Sequence, residues 1–421
     1  MKLTAPKGTR DILPSEIGKW QFVEKQFMEV CSLFGYDEIR IPTFESTEVF
    51  SRGVGDDTDV VQKEMYTFDD KGGRSISLRP EGTAGIARSF IENGMGSMPF
   101  PIKLCYNITA FRYENVQKGR YREFHQLGAE AFGSAGPRVD AELISMISLF
   151  FRRLGIYDSM LRINSIGCPE CRKKYNDSLK GFLLERYEGL CKVCRDRYEA
   201  NPLRVLDCKD ERCKTVTAEA PLLADSLCND CADHFVGLQE ALSDLDIDYE
   251  IDKRIVRGLD YYTRTVFEFI SENVGTQGTI CGGGRYDGLI DQFGGGCVPG
   301  IGFALGVERL LMEMDSRGLV PGENKKVSLY IASLGDETVA LAHRLCFDLR
   351  KNGIAAETDL TGRSFRAALK YAGKAGFTHL MIIGKDETDS GVVKLKSLKD
   401  ASEKDYDLTD LVERLKEEFY G

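Results

Sequence analysis

Three stretches of the chain set acids, arginines and aromatic rings at spacings that suit binding of a small charged molecule. In the alternating run around Phe124, Gln126, Gly128 and Glu130, these four share parity, so a ring, an amide and a carboxylate project from one face of a strand while His125, Leu127, Ala129 and Ala131 face the other way. Gly128 leaves room there for a ligand to approach the backbone. Arg112 arrives from a preceding strand, across the polar link Glu114 to Arg122. At Glu81-Gly82-Thr83 a carboxylate and a hydroxyl bracket a glycine on a strand-to-helix turn, an acceptor pair suited to an ammonium group. The competing reading is a plain helix cap, with Glu81 or Thr83 serving the first turn. Further on, RGLDYYTRTVFEF brings Arg257, Tyr261 and Tyr262 ahead of a β-rich alternation. GGGRYDGL reads as a glycine-rich turn ending in Arg285-Tyr286-Asp287, and Gly300 to Leu311 reads as a strand then a helix bearing Arg309. A lone helical arginine is usually a surface residue. Arg112, Arg257 and Arg309 together with Glu81 and Glu130 suit a polyanionic nucleotide beside a small cation.

A second kind of chemistry lies between about Ser165 and His234. Eight of the thirteen cysteines form close pairs there, Cys168 with Cys171, Cys191 with Cys194, Cys208 with Cys213 and Cys228 with Cys231. That is the ligand arithmetic of two four-cysteine zinc sites, each stabilising a stretch with little core of its own. Inert packed thiols are the competing reading. A chain with no apolar run of membrane length and no basic-then-apolar leader is expected in the cytoplasm, where such thiols stay reduced. The net charge of −10 excludes a surface that attracts nucleic acid everywhere, so a nucleic-acid partner must be held by local basic patches.

These groups need elements to carry them. Trp20, Val23, Phe27, Val30 and Phe34 predict an amphipathic helix of about five turns after Ser15-Glu16, followed by a short strand from Asp37 closed by Pro42. Leu104 to Gly133 predicts a long hairpin, and Pro137 to Leu154 a helix packed on its sheet. From about Lys325 the pattern alternates: strands at 327–334, 354–360, 377–384 and 392–398, and helices at 337–352, 363–375 and 408–419. Arg363, Arg366, Lys370 and Lys374 recur there at helical spacing, a phosphate-tracking stripe or a solvated face.

The whole pattern resembles the histidyl-tRNA synthetases, a family of class II aminoacyl-tRNA synthetases. The first helix through Gly35-Tyr36 to Pro42 resembles class motif 1, Phe111-Arg112-Tyr113-Glu114 to Glu130 motif 2, and Gly302 to Arg309 motif 3. RGLDYYTRTVFEF and GGGRYDGL resemble the two histidine-specific signatures, and KGTRDILP near the start adds to the match. The resemblance implies an α+β catalytic core, an antiparallel sheet flanked by helices, over residues 1–165 and 246–322. It further implies a helical Cys-rich insertion over 166–245 and an α/β anticodon-binding domain over 325–421. Its substrates are L-histidine, ATP with Mg²⁺ and tRNA(His), in a cytoplasmic homodimer. Residue by residue, it assigns Arg112, Glu114, Arg120, Phe124 and Arg309 to ATP, and Glu81, Thr83, Arg112, Gln126, Glu130, Arg257, Tyr261, Tyr262 and Tyr286 to histidine. Arg112 and Arg257 carry the catalysis in that scheme. The motif 2 link departs from many relatives in having Asn115-Val116 where they carry arginine and proline. The alternative is a non-catalytic, synthetase-like regulatory subunit of histidine biosynthesis.

Overall fold

Trp20, Val23, Phe27 and Val30 fall on one stripe of the helix Ile17–Leu33 and are all buried, as three- and four-residue spacing demands. The computed structural model describes residues 3–55, 58–200, 202–206, 208, 210–255, 258–271, 278–319 and 328–420; Arg257 lies outside them. The chain divides into two compact units, Met1–Pro321 and Gly322–Gly421.

The first unit is built on an eight-stranded sheet of β1 (Asp37–Glu38), β5 (Ile102–Phe111), β6 (Glu123–Phe132), β7 (Met160–Ser165), β8 (Glu250–Ile251), β9 (Thr263–Ile270), β10 (Thr279–Arg285) and β11 (Gly300–Gly306). A three-stranded sheet of β2 (Phe44–Ser46), β3 (Thr67–Asp69) and β4 (Ser75–Leu78) stands beside it in the sequence. The large sheet runs β1-β5-β6-β11-β10-β9-β7-β8, antiparallel throughout its middle and parallel only at its two edge pairs. The strand expected from Asp37 is cut to Asp37–Glu38, an exposed edge pairing beside Leu104 and Cys105.

One face of the sheet is closed by helices. Leu127, Ala129 and Ala131 of β6 share a core with Trp20 and Phe27, with Phe303 and Leu305 of β11, and with the helix Pro137–Arg153. The Cys-rich stretch folds as helices Pro169–Leu184, Lys192–Ala200, Leu203–Leu206, Glu211–Thr217 and Asn229–Asp244. Leu238 and Leu242 of its last helix belong to that same core, so the insertion is rooted in the catalytic body.

The three glycines of GGGRYDGL are strand and not turn; the turn falls after them, at Asp287-Gly288. Gly282, Gly283, Gly284 and Arg285 lie inside β10, and a Cβ at Gly283 would stand 2.3 Å from the carbonyl oxygen of Gly302 on the neighbouring strand. Close strand approach, not a ligand-cradling loop, is what those glycines serve.

The second unit has a sheet of β12 (Ser328–Ser333), β13 (Ala355–Thr358), β14 (His379–Ile383), β15 (Val392–Ser397) and β16 (Glu403–Asp407), in the order β13-β12-β14-β15-β16. Two elements escape the sequence reading: the short helix Lys385–Ser390 and β16. β16 is an edge strand of sequence EKDYD with only Tyr406 buried, so it has no apolar alternation to reveal it. Of the basic stripe, Arg363 is held by Asp359 at 2.8 Å and lies over the Tyr371 ring at 4.3 Å.

Candidate active site

The open face of β6 carries the site. Glu130 is fully buried, and its carboxylate accepts from Thr83 Oγ1 at 2.7 Å, from Tyr106 at 3.3 Å and from the Tyr286 hydroxyl. Register explains why it fits. Gly302 of β11 lies directly opposite Glu130, and a Cβ at that position would sit 1.6 Å from the carboxylate, so only glycine leaves the acid room. Gly128 behaves differently from expectation. Its missing side chain is filled by the ring of Tyr106, its cross-strand partner, which a Cβ would meet at 2.3 Å; no space is left for a ligand there. Tyr106 itself escapes the sequence reading. The available signal is a tyrosine set directly across a strand pair from a glycine.

Around Glu130 stand Tyr261, Tyr262 and Tyr286, all buried, with ring centroids of Tyr261 at 4.6 Å from Tyr262 and 5.7 Å from Tyr286. Glu81 accepts from the amides of Thr83 at 2.7 Å and Ala84 at 2.9 Å, so it does cap the helix Thr83–Glu92, and it does so from inside the pocket wall. Gln126 is buried and its Oε1 has no partner among the described residues. An orphaned acceptor costs free energy unless a donor arrives, and a ligand ammonium would be one.

Burial pushes the Glu130 carboxyl up to about 8, against the hydrogen bonds from Tyr286 and Thr83 that favour its charge; burial raises Glu81 also. The sign of the consequence is fixed. An unfolded chain gives up this proton near 4.5 and the empty folded pocket keeps it to about 8. Between those values folding retains a proton, so stability of the ligand-free protein falls as pH rises through that window. Glu130→Gln should lack this component and show a shallower decline of its urea midpoint from pH 5 to pH 8. Parallel slopes for both proteins would show that Glu130 is ionised in the empty pocket.

Next to this group opens a cavity of about 200 Å³ lined by Arg112, Glu114, Arg120, Phe124, Gln126, Gly282, Thr279 and Arg309, among others. The Arg112 guanidinium is fixed by Pro80 O at 2.9 Å and lies 5.4 Å from the Phe124 ring centroid; Glu114 sits 3.9 Å from Arg112 and 3.5 Å from Arg120. Arg309 donates to Thr279 O at 2.9 Å. Three cations on one open cavity, beside an inner pocket with acidic and amide acceptors, suit a polyanion bound next to an ammonium. The structure brings together every site residue named from the sequence except Arg257, which lies outside the described residues, and the cysteines.

Arg285, named from the sequence only as part of a turn, has a buried partner that sequence reading did not single out, Asp140. Arg285 is fully buried, donating to Asp140 at 2.5 Å, to Ser134 O at 2.6 Å and to Asp287 at 3.0 Å. Burial pushes Asp140 up to about 6, still below neutral pH, so it stays charged against the guanidinium.

The thiols form two separate clusters, Cys168 with Cys171, Cys228 and Cys231, and Cys191 with Cys194, Cys208 and Cys213, each with its sulfurs within 4.8 Å of one another. Cys168 and Cys171 are 3.5 Å apart and Cys191 and Cys208 3.8 Å, far beyond the roughly 2.05 Å of a disulfide. A tetrahedral zinc at about 2.3 Å from each sulfur needs a spacing of about 3.8 Å. Backbone amides of Cys228 and Cys191 donate to Cys171 and Cys213, as thiolate ligands are commonly supported.

An antiparallel sheet with a motif 2 hairpin, a closing strand–helix and this paired cavity is the catalytic core of a class II aminoacyl-tRNA synthetase. The histidyl-tRNA synthetase family model matches residues 8–170 and 190–310, and an anticodon-binding-domain model matches 328–418. A histidine–tRNA ligase of Acetivibrio thermocellus is 58% identical over 416 residues, covering 99% of this chain and 100% of that one; the one from Clostridioides difficile is 48% identical over 418 residues with the same coverage. The crystal structure of apo S. aureus histidyl-tRNA synthetase matches with a TM-score of 0.84 at 37% identity, over 99% of this chain and 100% of that one. The chain belongs to the histidyl-tRNA synthetase family. Full-length identity to histidine–tRNA ligases sets aside the regulatory-subunit alternative.

Proposed function

We propose that the paired cavity activates L-histidine with ATP and that the chain then charges tRNA(His). The observation that carries this is the buried Glu130, bonded by Thr83, Tyr106 and Tyr286, on the same strand as Phe124 and Gln126 of a cavity lined by Arg112, Arg120 and Arg309. In this reading Glu130, Tyr261, Tyr262 and Tyr286 enclose the imidazole, while Glu81, Thr83 and Gln126 take the ammonium. Phe124 and Arg309 sandwich the adenine, Glu114 accepts from its amino group, and Arg120 joins the nucleotide site. Arg112 and Arg257 hold the α-phosphate, Arg257 also meeting the histidine carboxylate.

A carboxylate oxygen of histidine attacks the α-phosphorus, the bond to the bridging oxygen breaks, and pyrophosphate leaves with Mg²⁺. Negative charge grows on the α-phosphoryl oxygens, where preplaced guanidinium groups lower the barrier without having to reorganise. Alignment of the two bound substrates supplies much of the rest. A terminal ribose hydroxyl of the tRNA then attacks the acyl carbon and AMP departs.

Amino-acid-dependent exchange of labelled pyrophosphate into ATP tests the reading without tRNA. Exchange with histidine and no other standard amino acid is the expected result; exchange with a different one would overturn the pocket assignment. The proposal extends to structural zinc in both thiol clusters, supported by their sulfur spacing. It also takes in a cytoplasmic homodimer; the dimer would be refuted by a monomer mass in sedimentation equilibrium. Among the described residues no helix is long and apolar enough to cross a membrane.

A further inference from the structure

The insertion reaches back onto the segment that carries Tyr261 and Tyr262, and it does so from residues beside its thiols. Arg172, next to Cys171, donates to the carbonyl of Asp260 at 3.2 Å. Arg204, between Cys194 and Cys208, donates to the carbonyl of Gly258 at 2.5 Å and stands 3.5 Å from the Asp260 carboxylate. Arg197, on the helix that carries Cys194, pairs with Asp59 at 2.6 Å, while the Asp260 amide donates to Val54 O at 3.1 Å, so the helices of the Cys191, Cys194, Cys208 and Cys213 cluster (the outer cluster below) hold both sides of one seam.

A second observation lies two residues past Tyr262. Arg264 has φ of +48°, a left-handed conformation that an arginine adopts only when its surroundings impose it. Its backbone is tied in two places to residues just before Cys168: Ile166 N donates to Arg264 O at 2.7 Å, and Arg264 N donates to Gly167 O at 2.8 Å.

We propose that the two thiol clusters, when loaded with zinc, form a clamp that fixes Arg172 and Arg204 against Gly258 and Asp260 and holds the strained Arg264 against Ile166 and Gly167, and thereby sets the affinity for histidine. The clamp rests on the zinc assignment and the histidine pocket of the preceding reading. Short helices such as Leu203–Leu206 cannot hold an arginine in place by their own stability. Four sulfurs on one ion can, since zinc binding supplies the folding free energy of such small units. Arg172 and Arg204 touch only backbone and Asp260 in these contacts, so they act as positioning residues.

Zinc content of the purified full-length chain is measured first, and two ions per chain are expected from the two clusters. A chain without zinc would remove both the metal assignment and the clamp. On zinc-loaded protein, Arg204→Ala should raise the KM for histidine in pyrophosphate exchange by about tenfold or more, because a charged hydrogen bond that orders the pocket wall is lost. The KM for ATP and the thermal midpoint should stay close to wild type; Arg172→Ala should act in the same direction. Cys213→Ser, which breaks the outer cluster, should raise the histidine KM similarly, and adding Arg204→Ala to it should change little more. If Cys213→Ser does not fold, Arg204→Ala decides alone. An unchanged histidine KM in zinc-loaded Arg204→Ala overturns the clamp and leaves the zinc assignment intact. Additive effects of the two changes overturn the metal's part in it. Absence of any histidine-dependent exchange in the wild-type chain would instead fell the functional reading, a distinguishable result.

Discussion

Glu130→Ala lowers kcat/KM for histidine in pyrophosphate exchange by about a hundredfold or more, while the affinity for ATP changes little. Glu130 is fully buried, and three hydroxyls converge on it. A ring N–H buried without that acceptor loses its hydrogen bond and keeps its desolvation cost, together about 3 kcal/mol, or roughly a hundredfold. Thr83, Tyr106 and Tyr286 lose their shared partner in the same variant, so its fold is checked by its unfolding midpoint. Glu130→Gln preserves the shape and can still accept a hydrogen bond, but without the negative charge, and should fall between the two. The ATP contacts proposed above belong to the neighbouring cavity lined by Arg112, Phe124 and Arg309, which is why nucleotide affinity serves as the internal control. Wild-type exchange by a folded Glu130→Ala protein would sink the assignment of the side-chain pocket.

The second large effect is on stability. Asp140→Ala removes the fully buried one of the two acids that pair with a guanidinium with no exposed surface, leaving it Asp287 and Ser134 O, and weakening so buried a charge pair costs about 3 kcal/mol. For a unit of this size that is a fall of about 4–5 °C in the first thermal transition. Removing both charges tests the cause. Asp140→Ala combined with Arg285→Met should recover much of the loss, because a buried pair is worth little net of its desolvation. If the double variant melts no higher than Asp140→Ala, the loss comes from packing and not from the weakened charge pair.

How much of this is readable in the sequence depends on what kind of signal carried it. The hairpin, the first helix and the strand–helix Gly300 to Leu311 announce themselves through periodicity, since each buries one face. Parity alone puts Gln126 and Glu130 on one face, and the structure adds Tyr286 and Thr83 across it. Cross-strand register is invisible to a linear reading. Gly302 opposite Glu130 and Tyr106 opposite Gly128 are facts of pairing, so a glycine that makes room for an acid and one that makes room for a ring look alike until the sheet is assembled. The same holds for Asp140, which reads as one polar position on an otherwise apolar helix face until Arg285 is brought to it. The thiol pairs were legible by spacing; their grouping into one cluster of the first and last pairs and one of the middle pairs was not.

The strand order also dictates when the pocket can exist during synthesis. β6 is hydrogen-bonded to β5 as soon as the hairpin is made, but its other edge pairs with β11, encoded only after the whole insertion and the further strands β8, β9 and β10. Until Gly300–Gly306 leaves the ribosome, β6 has an unpaired edge and Glu130 has no floor beneath it. Contacts that close so long a loop form slowly and late. The nascent chain therefore carries an incomplete sheet while the stretch between β6 and β11 is made, and the proposed site is among the last parts of the first unit to be assembled.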